Sequence, residues 1–215
     1  LRQIETTSLR AAELCQQMLA YSGRGRFVVE RLDLSALVED TVPLLQLSVN
    51  RRAAFRLDLV SGLPSVMADA TQLRQIVMNL VMNAAEALGE GEGQIVLTTG
   101  VQRVGPALLA IMATGSGLPA GDYVFLKVAD HGCGMSAETL TRIFDPFFTT
   151  KFAGRGLGLA AVLGIVRSHQ GALRVESELH RGTTFTLFLP PYDGTVAAPP
   201  KPRSAVPWQH AVIVL

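Results

Sequence analysis

The 215-residue sequence predicts an α+β fold, a two-layer sandwich with helices in one layer over a mostly antiparallel sheet. Three observations carry this expectation. The stretch from Asp69 to Leu88 repeats apolar residues at helical spacing, and several shorter stretches alternate at strand spacing. Two glycine clusters, DHGCGM (Asp130 to Met135) and GRGLGL (Gly154 to Leu159), punctuate the second half of the chain.

At the start, Leu1, Ile4, Ser8, Ala11, Cys15 and Met18 follow a three-four-three heptad rhythm, broadened by Leu14 and Leu19. A bundle helix and an ordinary core helix both fit so short a run. Ser35 is placed to cap a helix from Ala36 to about Val49, with Pro43 requiring a kink or a later start. Ala53 to Val60 alternates like a half-buried strand. In the long helix, Asp69 is the N-cap and Gln72 closes a capping box, while Leu73, Ile76, Val77, Leu80, Val81, Ala84 and Leu88 form the buried stripe. Further strands are expected at Gly93–Val101, Tyr123–Ala129, Ala172–Glu176 and Thr183–Leu189. Leu157 to Ser168 reads as a helix stopped near Gly171. The insertion from Arg103 to Gly121 holds an apolar run, Ala107 to Ala113, which fits a hairpin extension, a contact surface or a poorly ordered loop alike.

The polar residues of the long helix point to chemistry. Gln72, Gln75, Asn79, Asn83 and Glu86 fall at steps of three or four and so share one stripe. A solvated stripe would favour Lys, Arg and Glu, which are better helix formers than Asn. Two Asn residues one turn apart suit a polar cavity instead, because their oxygens are hard ligands for magnesium and their amides can reach phosphate. The glycine clusters allow close backbone approach to a ligand, and the second runs directly into a helix, whose N-terminus favours phosphate. Together these features outline a nucleotide site.

NLVMNAAEA (Asn79 to Ala87) resembles the N box of sensor histidine kinases, DHGCGM their G1 box, IFDPFF (Ile143 to Phe148) their F box and GRGLGL their G2 box. RGTTFTLFLP (Arg181 to Pro190) resembles the strand that closes the domain. The resemblance spans most of Asp69 to Pro190. It implies the Bergerat-type ATP-binding fold shared with type II topoisomerases, Hsp90 chaperones and MutL proteins. It assigns Asn83 to magnesium, Asn79 to the metal or phosphate neighbourhood, and Asp130 to the exocyclic amine of adenine. Gly132 and Gly134 would let the chain pass beside the base, and 135–155 would form a mobile lid. Gly154, Gly156, Leu157 and Gly158 would meet the phosphates, and Thr183 and Thr184 would close the adenine side. Lys151 and Arg155 are candidates for γ-phosphate contact, where a cation would stabilise charge on the transferred group.

Hydrolysing relatives resemble one another in placing Glu where this chain has Asn79, and Asn cannot serve as a general base. The expected activity is therefore transfer of the ATP γ-phosphate to a His, for relay to a response regulator receiver domain. An ATP-hydrolysing relative and a non-catalytic docking module are the rival readings. Residues 1–23 resemble part of the second helix of the dimerisation bundle, implying a homodimeric parent. No His here is followed by the family's acidic-Asn-Pro pattern, so the phosphoacceptor is expected upstream. Residues 24–192 would form the catalytic domain and 193–208 a Pro- and Ala-rich linker. Residues 209–215 fit either the opening strand of a receiver domain, as in a hybrid kinase, or a disordered tail.

A formal net charge of +1 with no basic cluster argues against a nucleic-acid partner. Two isolated cysteines, Cys15 and Cys133, argue against a disulfide framework or a zinc site and suit a reducing cytoplasm. No apolar run approaches the roughly 18 residues of a bilayer span, although a membrane anchor further upstream in a parent protein is compatible with this.

Overall fold

The computed structural model describes residues 28–46, 53–89, 93–115, 117–150 and 156–192. The elements in chain order are β1 (Glu30–Leu32), α1 (Leu34–Gln46), β2 (Ala53–Asp58), β3 (Val66–Ala68), α2 (Ala70–Leu88) and β4 (Gly93–Val104). They continue with α3 (Pro106–Ala110), β5 (Gly121–Asp130), α4 (Ala137–Arg142), α5 (Gly158–Ser168), β6 (Ala172–Glu178) and β7 (Gly182–Leu189). The heptad-patterned start, the Pro- and Ala-rich stretch and the closing HAVIVL lie outside the described residues.

Five strands form one sheet in the order β2-β4-β5-β7-β6, antiparallel except for the β2–β4 pair, and β1 pairs with β3 in a separate ribbon. Alternation then assigns faces. Ile95 and Leu97 of β4, Val124, Leu126 and Val128 of β5, and Phe185, Leu187 and Leu189 of β7 share one core with α1, α2 and α5. The expected stripe of α2 is buried from Leu73 to Ala84, with Leu88 packed at its margin. The inward row of β5 continues to Asp130, and that of β7 begins at Thr183. Both polar residues are therefore delivered to the end of the core beneath α2.

Several local expectations need correction. The first helix begins at Leu34, and its cap is Asp33, whose carboxylate accepts from the Ser35 and Ala36 amides at 2.9 and 3.2 Å. Ser35 is buried and donates its hydroxyl to the Val60 carbonyl at 2.7 Å instead, and Pro43 lies inside the helix. The capping box of α2 is only half formed. Asp69 accepts from the Gln72 amide at 3.0 Å, but the Asp69 amide donates to His169 Nε2 at 3.0 Å and not to Gln72. At the end of α5 the left-handed residue is Gln170 (φ 54°). Gly171 is needed for contact, since a Cβ there would stand 2.7 Å from the Phe188 carbonyl.

The insertion is an extension of the β4–β5 hairpin. β4 runs on to Val104, α3 follows, and the Ala113 amide donates to the Leu173 carbonyl at 2.8 Å. Val104, Leu109, Tyr123, Ala172 and Phe188 thereby form a second cluster on the sheet face opposite the helices. Tyr123 is buried there, which raises its pKa, and its hydroxyl donates to the Pro119 carbonyl at 2.8 Å.

Candidate functional site

A cavity of about 380 Å³ opens between the C-terminal half of α2, the loop after β5, the segment 135–150 and the start of α5. One wall is the polar stripe of α2. Asn79, Asn83 and Glu86 face the cavity, whereas Gln75 and Gln72, about one and two turns nearer the helix start, do not line it. Residues spaced at three and four share a face, but only the last turns of that face overhang the opening.

Asp130 is 7% exposed. Its Oδ1 accepts from the Gly132 amide at 2.8 Å and the Thr183 amide at 3.3 Å. Two backbone donors on one carboxylate oxygen fix the side chain at the cavity floor, and a carboxylate there is an acceptor-only group. Thr183 lines the same floor, and its hydroxyl is hydrogen-bonded to Ser177 Oγ at 2.9 Å. Thr184 does not reach the cavity. It lies at a neighbouring, more open depression with His131, Glu176 and Arg181, which Asp130 and Thr183 also border. The shared parity of Thr183, Phe185, Leu187 and Leu189 was a sequence signal that Thr184 does not line the cavity.

Gly134 lines the cavity and Gly132 does not, and both answer to the protein before any ligand. A Cβ on Gly132 would lie 2.5 Å from the Ala87 carbonyl at the end of α2. One on Gly134, at φ 62°, would overlap the Glu178 carbonyl. The loop is stitched at the same places, with the Cys133 amide donating to Ala87 O at 3.0 Å and the His180 amide to Cys133 O at 2.7 Å.

The far wall is Gly156, Leu157 and Gly158, which lead into α5. Leu157 occupies the N-cap position and offers no side-chain acceptor, so among the described residues the first-turn amides of α5 receive no cap from that position beside the cavity. Such amides suit an anion. Asn79 Nδ2 lies 3.4 Å from the Gly158 carbonyl, bringing the α2 wall against the start of α5. Lys151, Gly154 and Arg155 lie outside the described residues. Sequence reading did not single out the apolar lining, Met82, Met135, Ile143, Phe148 and Phe185, which suits a flat heterocycle. Met82 could have been found from its position three residues after Asn79.

Among the described residues, no helix is long and apolar enough to cross a membrane. Cys133 is an exposed free thiol.

Comparison with known proteins agrees with this geometry. Residues 68–193 match the family described as histidine kinase-, DNA gyrase B-, and HSP90-like ATPase. Sensor kinase CckA of Brucella abortus is 41% identical over 189 residues, 87% of this chain and 20% of that protein. The signal transduction histidine-protein kinase AtoS of Escherichia coli is 35% identical over 179 residues, 83% of this chain and 26% of its own length. The chain thus spans a fifth to a quarter of these relatives. Among solved structures, the catalytic domain of histidine kinase ThkA aligns with a TM-score of 0.60 at 27% identity, covering 77% of this chain and 97% of that one. Full-length ShkA in complex with AMPPNP aligns with a TM-score of 0.63 at 27% identity, over 87% and 38%.

Proposed function

Because the chain belongs to the family of histidine kinase-, DNA gyrase B- and HSP90-like ATPases, we propose that it is the ATP-binding catalytic part of a two-component sensor histidine kinase. The observation that carries this reading is the convergence of three features on one cavity: Asp130 held on its floor by two backbone amides, the Asn79–Asn83 face of α2, and the start of α5. The fixed carboxylate is an acceptor for the exocyclic amine of adenine, where guanine would offer a carbonyl. The apolar residues between the walls receive the base. The α5 amides receive phosphate oxygens, and the Asn79 and Asn83 side chains supply the hard oxygen ligands that magnesium takes. A bound magnesium ion would neutralise phosphate charge at that wall.

Asn79 stands where a general base for water would be needed, and an amide cannot take up that proton. The γ-phosphate therefore passes to a protein nucleophile, a His of the parent's dimerisation helix, and onward to a response regulator in a homodimeric parent. Lys151, Arg155 and Gly154 complete the phosphate end in this reading. The parent works in the cytoplasm, or from a membrane anchor with this domain on the cytoplasmic side. The relative ShkA in complex with AMPPNP supports an adenine nucleotide as ligand.

Calorimetric titration tests the reading. AMPPNP should bind in a magnesium-dependent manner, the guanine counterpart should bind at least about tenfold more weakly, and ATP should release no steady phosphate. Equal affinity for both bases, or sustained hydrolysis, would overturn it.

A further inference from the structure

The helices that carry the cavity, α2 and α5, run antiparallel and touch through polar groups at both ends. At the cavity end Asn79 Nδ2 lies 3.4 Å from the Gly158 carbonyl. At the other end, ten residues or about 15 Å along α2, the Asp69 amide donates to His169 Nε2 at 3.0 Å. His169 is 6% exposed, and its Nδ1 lies 2.8 Å from the Ile165 carbonyl. This pair of contacts selects one neutral tautomer, with the proton on Nδ1 and the lone pair on Nε2 turned to α2.

Asp69 is engaged on all sides. Its carboxylate accepts from the Gln72 amide at 3.0 Å and from the Val28 amide at 2.8 Å, where the chain arrives from residues upstream. The capping box would have joined the Asp69 amide to the Gln72 side chain, and His169 has displaced that bond. Among the described residues Gln72 Oε1 is left buried with no hydrogen-bond partner. Such an atom costs free energy, and here it is a second acceptor within the same helix turn, next to a donor already committed to another helix.

We infer that His169 is a positioning residue for the nucleotide site: it fixes α2 against α5 through the Asp69 amide, and α2 is released to close its own cap on Gln72 when the imidazole is protonated. Protonation converts Nε2 from acceptor to donor, facing another donor. Release lets α2 shift along α5 and carries Asn79 and Asn83 away from the start of α5. The inference rests on the reading of the cavity as a nucleotide site.

Burial is the largest influence on His169 and lowers its pKa below the ordinary value, while the Ile165 carbonyl and the Asp69 carboxylate act in the opposite sense. The unfolded chain therefore takes up the proton first. The stability that His169 contributes is fully present above about pH 6.5 and is lost as pH falls from there through the lower folded-state value.

NMR of the labelled chain from about pH 5 to 8, followed by AMPPNP titration with magnesium at both limits, tests the inference. The Asp69 amide and the Asn79 side-chain amide should shift together with the His169 ionisation, and the analogue should bind about tenfold more weakly to the imidazolium form. His169→Gln retains an acceptor that does not titrate, so it should bind as the wild type does at high pH and show a flat profile. His169→Ala should bind weakly at both limits. Gln72→Leu removes the second acceptor and should steepen the loss of stability at low pH. Signals at Asp69 and Asn79 that ignore the titration, or wild-type affinity and profile in His169→Ala, would overturn the inference. Coupled NMR shifts with no analogue binding at any pH would instead remove the nucleotide reading and leave the contact between the helices standing.

Discussion

The loop after β5 and the segment 135–150 face each other across one cavity but are held differently. The loop is tied by three backbone bonds to two distant parts of the chain, the end of α2 and the β6–β7 hairpin. Asp130 receives the Thr183 amide at 3.3 Å, Ala87 receives the Cys133 amide at 3.0 Å, and Cys133 receives the His180 amide at 2.7 Å. Among the described residues the segment packs Ile143 and Phe148 on the main core, but the backbone hydrogen bonds it makes are mostly local. The Asp145 amide donates to the Arg142 carbonyl at 2.9 Å, the Phe148 amide to Asp145 at 3.1 Å, and the Arg142 guanidinium lies 4.4 Å from the Phe148 ring centroid. Its backbone tie across the cavity mouth is the Phe147 amide on the Gly156 carbonyl at 2.9 Å. On the proposed reading, the group that discriminates between bases must not move, and Asp130 is fixed by a strand and its own loop. On the same reading 135–150 would cover the nucleotide and must yield at low cost, which local bonds permit.

The largest effect should follow from breaking the fixed side at its hub. Asp130→Ala orphans the buried Thr183 amide and the half-buried Gly132 amide, and should cost about 2–4 kcal/mol in chemical denaturation. Asp130→Asn keeps an acceptor oxygen, so its stability should stay within about 1 kcal/mol of wild type while preference for adenine over guanine falls. Equally small losses for the two variants would mean that the amides find other acceptors, and equally large ones that the amide oxygen does not replace the carboxylate.

Glycine substitution measures the same tightness from its steric side. Gly134→Ala meets both a left-handed φ of 62° and the Glu178 carbonyl, and should cost about 2–4 kcal/mol. Gly62 has a similar φ of 73° with open space around it, so Gly62→Ala should cost only about 1 kcal/mol. The difference between them is the part due to chain crowding. Equal costs would show that the loop can retreat from the β6–β7 turn.

On the yielding side, Arg142→Ala should cost only about 0.5–1 kcal/mol, the worth of an exposed cation–π contact. Its nucleotide affinity should change in the same small proportion. A loss as large as that of Gly134→Ala would place the segment among the rigid parts of the site.

What could be read from the sequence follows the same division between local and distant causes. The α2 stripe, the strand cores and the polar face of Asn79 and Asn83 were legible because periodicity fixes a face within one element. Ser35 was misread as a cap because Asp33, two residues earlier, is the better acceptor and Ser35 finds Val60 in another element. The partner of the Asp69 amide could not be read, since His169 lies 100 residues away and reaches it only once α2 and α5 are packed. Gly132 and Gly134 are expected to pass beside a base, and what approaches them in the structure is the Ala87 and Glu178 backbone, which only the tertiary structure brings there. Thr184 is expected at the adenine side with Thr183, yet the apolar parity of β7 places the two on opposite faces.

The smallest effect is also the one whose sign is most informative. Phe147 sits at φ 68° with its side chain 61% exposed, so little packing repays a left-handed backbone in a bulky residue. At most exposed positions Ala is more stabilising than Gly, because Gly gains freedom in the unfolded chain. At 147 the order should reverse. Phe147→Ala keeps the left-handed strain and loses what contact the ring makes, whereas Phe147→Gly removes the strain and is offset by unfolded-state entropy. Gly should therefore be the more stable of the two by about 0.5–1 kcal/mol, with both close to wild type. If Ala proves the more stable, the turn that joins Phe147 to Gly156 is not the populated form of the segment. The contrast between a fixed loop and a cover held by one strained residue would then give way to a contrast between a fixed loop and a cover with no set conformation.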